Sequence, residues 1–137
     1  MAISNCFSIS NYNQLEKVIQ FRKKYKKKSI IFINYYLIKG LGIDWLKELI
    51  LLINKKHKNH TTKFFVDSGY DYGLCTLLIR EKVHFVKLKS NHDILKKIHQ
   101  IANKNKVLLN PKFNVVDLSK IKNTNYLEKR LMKKHED

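Results

Sequence analysis

The stretch SIIFINYY, residues 29–36, decides the fold, because it is a nearly continuous run of β-branched, aliphatic and aromatic residues. Such a run is typical of a strand that is covered on both faces in a parallel sheet. The segment KGLG, residues 39–42, follows it and is interpreted as a flexible loop. A parallel strand of this kind needs long crossover connections, so we expect helices on either side of it.

Further apolar runs recur along the chain and predict strands at residues 62–69, 83–89 and 107–112. Helical periodicity separates them. The predicted helices cover residues 13–28, 45–58, 70–82 and 90–106. Alternation of this kind is the βαβ pattern, which implies right-handed crossovers. We therefore predict an α/β fold: a single three-layer domain with a mostly parallel, four- to five-stranded sheet and helices on both faces, as in flavodoxin.

The length of 137 residues suits one domain. We divide it into an N-terminal basic helix (13–28), a βαβ core (29–110) and a C-terminal extension that ends in a helix (111–137). Within the extension, residues 113–120 read either as a fifth, edge strand or as an extended arm. Two isolated cysteines and the lack of any signal-peptide or membrane-spanning pattern predict a cytoplasmic location.

The segment FFVDSGYDYGLCTLLIREKVHFVKL, residues 64–88, resembles a pattern of short, uncharacterised bacterial α/β proteins of the alphaproteobacterial type. Its elements are an apolar strand, Asp-x-Gly, a second glycine, a helix of small and aliphatic residues, and another strand. The resemblance covers about residues 30–110. It implies the same α/β fold and carries no activity with it.

The formal net charge of +17 predicts a polyanionic partner such as RNA or an acidic protein assembly. Only three of the 28 basic residues are arginine, and the abundance of Lys, Asn and Ile is typical of an AT-rich genome, which accounts for part of the charge. Arginine is the side chain that forms bidentate hydrogen bonds with guanine and with phosphate. Its scarcity argues against sequence-specific recognition of nucleic acid.

The basic end of the first helix is the candidate polyanion-binding site. A few cations at the end of a helix simply complement its dipole, so the segment could also be an ordinary solvated helix end. It contains more positive charge than that purpose needs. The candidate residues are Arg22, Lys23, Lys24, Lys26, Lys27 and Lys28.

The loops after the predicted strands are where an open parallel sheet binds ligands. There, Asp67 and Asp71 are candidates for acid–base work, and Lys87 or Lys89 for contacting a phosphate. The alternative is that both aspartates only cap turns and helices, and that both lysines are solvated strand ends. We favour this alternative for the aspartates, because no third acidic residue lies close in the sequence.

No cofactor or metal site is predicted. The GK[ST] ending of a P-loop and the GxGxxG fingerprint are both absent from the sequence. The closest pair of histidines, His57 and His60, lies in a lysine-rich segment that would repel a cation, so we interpret both as solvated loop residues.

Three functions are consistent with the sequence. The first is a non-catalytic accessory protein whose basic α/β scaffold docks to RNA, a nucleoprotein or a larger assembly. The second is a small enzyme or ligand-binding protein that holds an anionic metabolite in the crevice around Asp67 and Asp71. The third is a structural protein that associates with its own copies through the leucine-rich helix 45–53. We favour the first, since nothing in the sequence forms a catalytic signature.

Overall fold

Residues 6–136 are the part of the chain that the computed structural model describes, and they contain six strands and six helices. The strands are β1 (Cys6–Ser8), β2 (Ser29–Ile33), β3 (Thr62–Asp67), β4 (Phe85–Lys87), β5 (Leu108–Leu109) and β6 (Val115–Asp117). The helices are α1 (Tyr12–Lys24), α2 (Tyr35–Leu41), α3 (Ile43–Lys56), α4 (Tyr72–Arg80), α5 (His92–Lys104) and α6 (Thr124–Glu136). None of these helices is long and apolar enough to cross a membrane.

All six strands belong to one parallel sheet with the order β5-β4-β3-β2-β1-β6. The predicted α/β class and parallel sheet are confirmed. One strand, β1, was not predicted, and another, β6, lies in a segment for which two alternatives were open. β1 has only three residues, too few to produce a readable pattern. β6 lies inside residues 113–120 and pairs with β1 at the edge of the sheet, so that segment contains a strand.

The helices differ from the prediction, because their buried residues all pack on one face of the sheet. Strands β1 to β5 follow one another in a single direction across the sheet. Right-handed crossovers that step in one direction place every helix on the same side. The main core accordingly joins side chains of all six helices to one set of alternating strand residues, among them the register partners Phe7, Ile31 and Phe64. The flavodoxin-like arrangement, with helices on both faces, is not formed.

The third layer lies on the opposite face and consists of a connecting segment, residues 110–114, over a second apolar cluster. This cluster comprises Cys6, Ile30 and Phe65, with Phe32, Phe85 and Phe113 packed against them. The Phe113 ring lies 5.0 Å from the ring of Phe85 and 5.8 Å from that of Phe65, between centroids. The segment therefore anchors itself to the middle of the sheet through one aromatic side chain.

Asn110 directs the chain onto this face. It has a φ of +51°, and its side-chain amide accepts a hydrogen bond from the backbone N–H of Leu88 at 2.8 Å and donates one to the Leu88 carbonyl at 3.0 Å. The amide thus takes the place of the next backbone group in the β4–β5 ladder. The backbone itself is free to turn away at Pro111.

The sheet is curled, because a short segment connects its two outermost strands. Six residue steps from Leu109 to Val115 reach at most about 21 Å. Five strand spacings in a flat sheet would separate β5 from β6 by roughly 24 Å, before any displacement along the strands. Consistent with curling, Lys87 on β4 and Val115 on β6 line one cavity although three strands lie between them.

The predicted strand 29–36 is too long, and the predicted loop 39–42 is helical. β2 ends at Ile33, and the Asn34 side chain accepts a hydrogen bond from the N–H of Leu37 at 2.9 Å, which caps α2. Tyr35 and Tyr36, read as strand residues, begin this helix. The helix ends at Gly42, whose φ of +89° leads directly into α3.

The terminal helices are integral to the main core. Leu15 and Val18 of α1 and Leu127 and Leu131 of α6 are all buried in it. α1 begins one residue earlier than predicted and is capped by Asn11, whose side chain accepts from Gln14 N–H at 2.9 Å. The basic segments are therefore attached to well-packed elements of the domain.

Candidate functional site

The basic segment at the end of α1 divides into one structural arginine and five exposed lysines. Arg22 is buried, donates two hydrogen bonds to the Lys28 carbonyl at 2.8 and 3.1 Å, and lies over the Phe7 ring at 5.4 Å. Burial lowers the pKa of its guanidinium. Arg22 therefore fastens the turn between α1 and β2, and its guanidinium is not among the exposed cations of this segment. The exposed residues are Lys23, Lys24, Lys26, Lys27 and Lys28.

Three lysines adopt a left-handed backbone conformation at equivalent positions of the fold. The φ angles are +55° at Lys26, +60° at Lys82 and +59° at Lys106. Each lysine follows the C-cap residue of a helix, at the position where glycine is the usual residue because it has no Cβ. All three side chains are exposed.

The hydrogen bonds at these three positions follow one pattern. The N–H of each left-handed lysine donates to the carbonyl three residues earlier, and the next N–H donates to the carbonyl of the residue five before it. The first set is Lys26 to Lys23, Lys82 to Ile79 and Lys106 to Asn103; the second is Lys27 to Arg22, Val83 to Leu78 and Val107 to Ala102, all within 2.9–3.2 Å. This is the Schellman ending of a helix, repeated three times with lysine in place of glycine.

The loops that carry these lysines lie side by side. All strands are parallel, so the loops preceding β2, β3, β4 and β5 meet at the amino edge of the sheet, about 4.8 Å apart in strand order. The loop before β3 has no left-handed lysine, but it contains the exposed Lys58. We define the basic rim as Lys26, Lys27, Lys28, Lys58, Lys82 and Lys106. Within residues 6–136, none of these six is in an ion pair.

Sequence reasoning found only the part of the basic rim that lies in the charge run at residues 22–28. The other members are single lysines. A signal was nevertheless present: EKV at residues 81–83 and NKV at residues 105–107 both place a lysine between a polar helix end and a β-branched residue that starts the next buried run. Recognising it requires knowing that both lysines lie on the same edge of the sheet.

The two candidate aspartates are engaged with the backbone. Asp67 accepts a hydrogen bond from the Gly69 N–H at 2.8 Å, and Asp71 caps α4 by accepting from the Leu74 N–H at 3.0 Å. Gly69 has a φ of +60°, and a Cβ there would meet the Tyr35 ring at 3.1 Å. The geometry matches the turn-and-cap interpretation of this loop.

The two candidate lysines are brought together in a cavity that neither aspartate lines. Asp67 and Lys87 are register partners on β3 and β4, yet no ion pair joins them among the described residues. Lys87 and Lys89 instead line a space of about 500 Å³ inside the curl of the sheet. We call it the inner cavity. Its other lining residues are Phe32, Phe65, Leu88, Asn110, Pro111, Phe113 and Val115.

His57 is buried, so the interpretation of a solvated histidine is wrong. It follows the last residue of α3, and its Nε2 lies 3.1 Å from the Glu16 carboxylate of α1. Glu16 also accepts from the Tyr12 hydroxyl at 2.9 Å and pairs with Lys56 at 3.3 Å. Burial opposes ionisation of Glu16, but the hydrogen bonds from His57, Tyr12 and Lys56 outweigh it and lower the pKa of the carboxyl group. Glu16 lies 41 residues before His57 in the sequence, so this contact depends on the packing of α1 beside the end of α3.

The remaining histidine of that pair is also structured. His60 is partly buried, with its Nε2 3.2 Å from the Ser29 hydroxyl, and burial lowers its pKa. Among the described side chains, no group of three or more His, Cys, Asp or Glu is placed to hold a metal ion.

The helix predicted to mediate self-association keeps an exposed apolar face. Leu46, Leu49 and Ile53 point into the core, whereas Leu51 is 69% and Leu52 46% exposed. Leu52 also lines a groove of about 460 Å³ between the start of α1 and α3, together with Trp45 and other apolar residues. An exposed face of this kind is compatible with association between copies.

Comparison with known proteins gives a structural similarity alone. No family model matches the chain, and no curated protein sequence matches it. Among solved structures, the chain is similar to a Coccidioides immitis protein provisionally assigned as a fructose-1,6-biphosphate aldolase, with 9% sequence identity and a TM-score of 0.59. The match covers 97% of this chain and 52% of that one, so the chain spans about half the length of that structure. Identity this low supports the fold and carries no activity across.

Proposed function

We propose that the protein is a non-catalytic binding protein that docks to the phosphate backbone of a nucleic-acid duplex through the basic rim. The single observation that carries this proposal is the repeated left-handed lysine. At Lys26, Lys82 and Lys106, a charged side chain occupies a backbone position that favours glycine. Compositional bias toward lysine does not by itself account for this, since asparagine is also abundant in this chain and tolerates the left-handed region better.

The placement of these lysines supports one shared binding surface. The four amino-edge loops follow the order of strands that lie about 4.8 Å apart, and each loop contains at least one exposed lysine. Among the side chains that the structure describes, no carboxylate forms an ion pair with them. A row of unpaired ammonium groups is complementary to a row of phosphates.

A duplex is favoured over a single strand because the two most exposed tyrosines lie away from the rim. Single-strand binding usually relies on exposed aromatic rings beside the basic residues. The two most exposed tyrosines, Tyr36 and Tyr70, follow the carboxyl ends of β2 and β3, which is the opposite edge. Tyr25, next to Lys26, is only partly exposed, and it contacts the Phe21 ring and the Met132 sulfur. Of the two arginines close to the rim, Arg22 is occupied by the Lys28 carbonyl, and Arg80 at the end of α4 is exposed. The chemistry therefore favours backbone contacts that are indifferent to sequence.

The proposal is tested by fluorescence anisotropy with a labelled RNA duplex, the matching single strand and a DNA duplex over a salt series. If all six rim lysines contact phosphates, the logarithm of affinity falls against the logarithm of salt concentration with a slope of roughly −5. Changing Lys26, Lys58, Lys82 and Lys106 to glutamine should reduce this slope by roughly 3 to 4 units.

The matched control removes the same charge elsewhere, by changing four exposed helical lysines, Lys96, Lys97, Lys129 and Lys133, to glutamine. This variant should keep nearly the wild-type slope for the duplexes. An equal loss in both variants would mean that net charge alone drives binding. Equal affinity for polyglutamate would instead identify an acidic protein partner and overturn the nucleic-acid proposal.

Self-association through α3 is a second candidate, favoured by the exposure of Leu51 and Leu52. The two candidates are compatible, since α3 packs on the helical face and the basic rim lies at the amino edge. Association between copies would multiply the number of phosphate contacts and raise the affinity for a long duplex.

A further inference from the structure

The inner cavity has the features of a binding site that the basic rim does not use. It lies inside the curled sheet, with Phe65 and Lys87 contributed by adjacent strands and Phe113 by the crossing segment. Its volume of about 500 Å³ is in the range that holds a small organic molecule. It opens beside the carboxyl ends of the central strands, where parallel sheets usually bind ligands.

The walls of the cavity are apolar and aromatic, and its charged groups are both positive. Phe32, Phe65 and Phe113 provide ring surfaces, whereas Lys87 and Lys89 are the charged residues that line it. No carboxylate lines the cavity. Lys87 is half-buried, which reduces the screening of its charge by water.

The polar side chains nearest to Lys87 in the sheet are hydrogen-bonded to backbone groups, so none of them forms an ion pair with its ammonium. The carboxylate of Asp67, its register partner, accepts the Gly69 N–H instead of forming an ion pair with it. The Asn110 amide, which also lines the cavity, is already bonded to both backbone groups of Leu88. The Lys89 ammonium lies 5.9 Å from the centre of the Tyr70 ring, and Tyr70 is not a lining residue of the cavity.

We propose that the inner cavity binds a small organic anion with a flat apolar body, such as an aromatic carboxylate, whose rings pack on Phe65 and Phe113 and whose negative group meets Lys87. The apolar body and the charge are both required. The rings alone would find no polar anchor, and the anion alone would leave the aromatic walls unfilled. This site is independent of the basic rim, which lies at the amino edge.

The experiment uses three probes that separate these requirements: 2-naphthoate, the uncharged 2-naphthalenemethanol, and inorganic phosphate. Binding is followed by ¹⁵N-resolved NMR titration of the whole chain. We expect 2-naphthoate to shift the amide signals of Lys87, Asn110 and Val115 with saturation. The alcohol should bind about tenfold more weakly or worse, and phosphate at the same concentration should leave these signals in place.

A pair of lysine variants gives a matched control. Lys87→Met keeps an unbranched side chain and removes the charge, and it should weaken 2-naphthoate about tenfold or more while leaving the alcohol unchanged. Lys63 of β3 lies on the face of the sheet that also carries Phe65. Its ammonium is over the Phe85 ring, but it does not line the inner cavity. Lys63→Met should therefore leave both affinities unchanged.

Several outcomes would overturn the inference. Equal affinity for 2-naphthoate and the alcohol would remove the role of Lys87. An equal loss in the two lysine variants would assign the binding to general surface charge. Signals that shift outside the inner cavity, or none that saturate, would mean that the space is unoccupied by this class of molecule. Quadruple glutamine substitution of the rim should leave 2-naphthoate binding intact, so failure of either proposal is recognisable separately.

Discussion

Replacing the three left-handed lysines by glycine should make the protein more stable and a weaker nucleic-acid binder. The left-handed conformation is disfavoured by about 1–2 kcal/mol for a residue with a Cβ. Glycine avoids this, but it loses about 0.5–1 kcal/mol more backbone entropy on folding. Each of Lys26→Gly, Lys82→Gly and Lys106→Gly should therefore raise the free energy of unfolding by about 0.5–1 kcal/mol.

The three positions lie in separate loops, so their effects should be nearly additive and the triple variant should gain about 1.5–3 kcal/mol. Urea unfolding followed by circular dichroism measures this gain. With a urea dependence of about 2 kcal/mol per molar, the midpoint should move up by roughly 1 M.

Alanine at the same three positions is the control, because it removes the charge and keeps the Cβ. In a protein of net charge +17, loss of three lysines relieves some repulsion in either variant. Only glycine also relieves the backbone. Equal stabilisation by glycine and alanine, or destabilisation by glycine, would refute the reasoning about the backbone. Unchanged binding to an RNA duplex by the glycine variant would refute the reasoning about function.

Three further predictions concern other parts of the fold. The pKa of Glu16 is below its ordinary value of 4.5, so the stability it contributes is complete above that pH and is lost as the pH falls through the lower folded-state value. In thermal melts, the melting temperature of Glu16→Gln should therefore fall less than that of the wild type as the pH is lowered through this range. Equal falls would contradict the role of the hydrogen bonds to Glu16. Gly69→Ala, with a φ of +60° and the Tyr35 ring 3.1 Å away, should lower the free energy of unfolding by about 1–2 kcal/mol, whereas Gly40→Ala, with open space around it, should not. If copies associate through α3, changing Leu51 and Leu52 to glutamine should leave only monomer in light scattering at concentrations where the wild type is larger.

The sequence predicted the class of the fold and most of its helices, because the apolar runs and helical periodicity are local properties. It failed where the outcome depends on strand order. The direction in which β1 to β5 follow one another places all helices on one face, and this depends partly on a three-residue strand, β1, with no readable pattern. Helix α2 was not predicted, because Asn34 caps it within a run of residues that individually favour strands.

The candidate site was only partly predictable for the same reason. The lysines of the charge run were visible, but Lys58, Lys82 and Lys106 join them only through the parallel arrangement of strands. The partners of Arg22 and His57 were equally hidden. Arg22 donates to the Lys28 carbonyl across the turn after α1, and the Nε2 of His57 meets the Glu16 carboxylate where α1 packs beside the end of α3.

NMR mapping of the duplex-binding surface tests the central claim most directly. A ¹⁵N-labelled sample of the wild-type protein is titrated with an RNA duplex of random sequence near physiological salt. We expect the largest changes in amide signals to fall together in the four amino-edge loops, which are residues 25–28, 57–61, 81–84 and 105–107. Changes confined to residues 23–28, or centred on the carboxyl edge of the sheet, would contradict the claim that the basic rim acts as one interface.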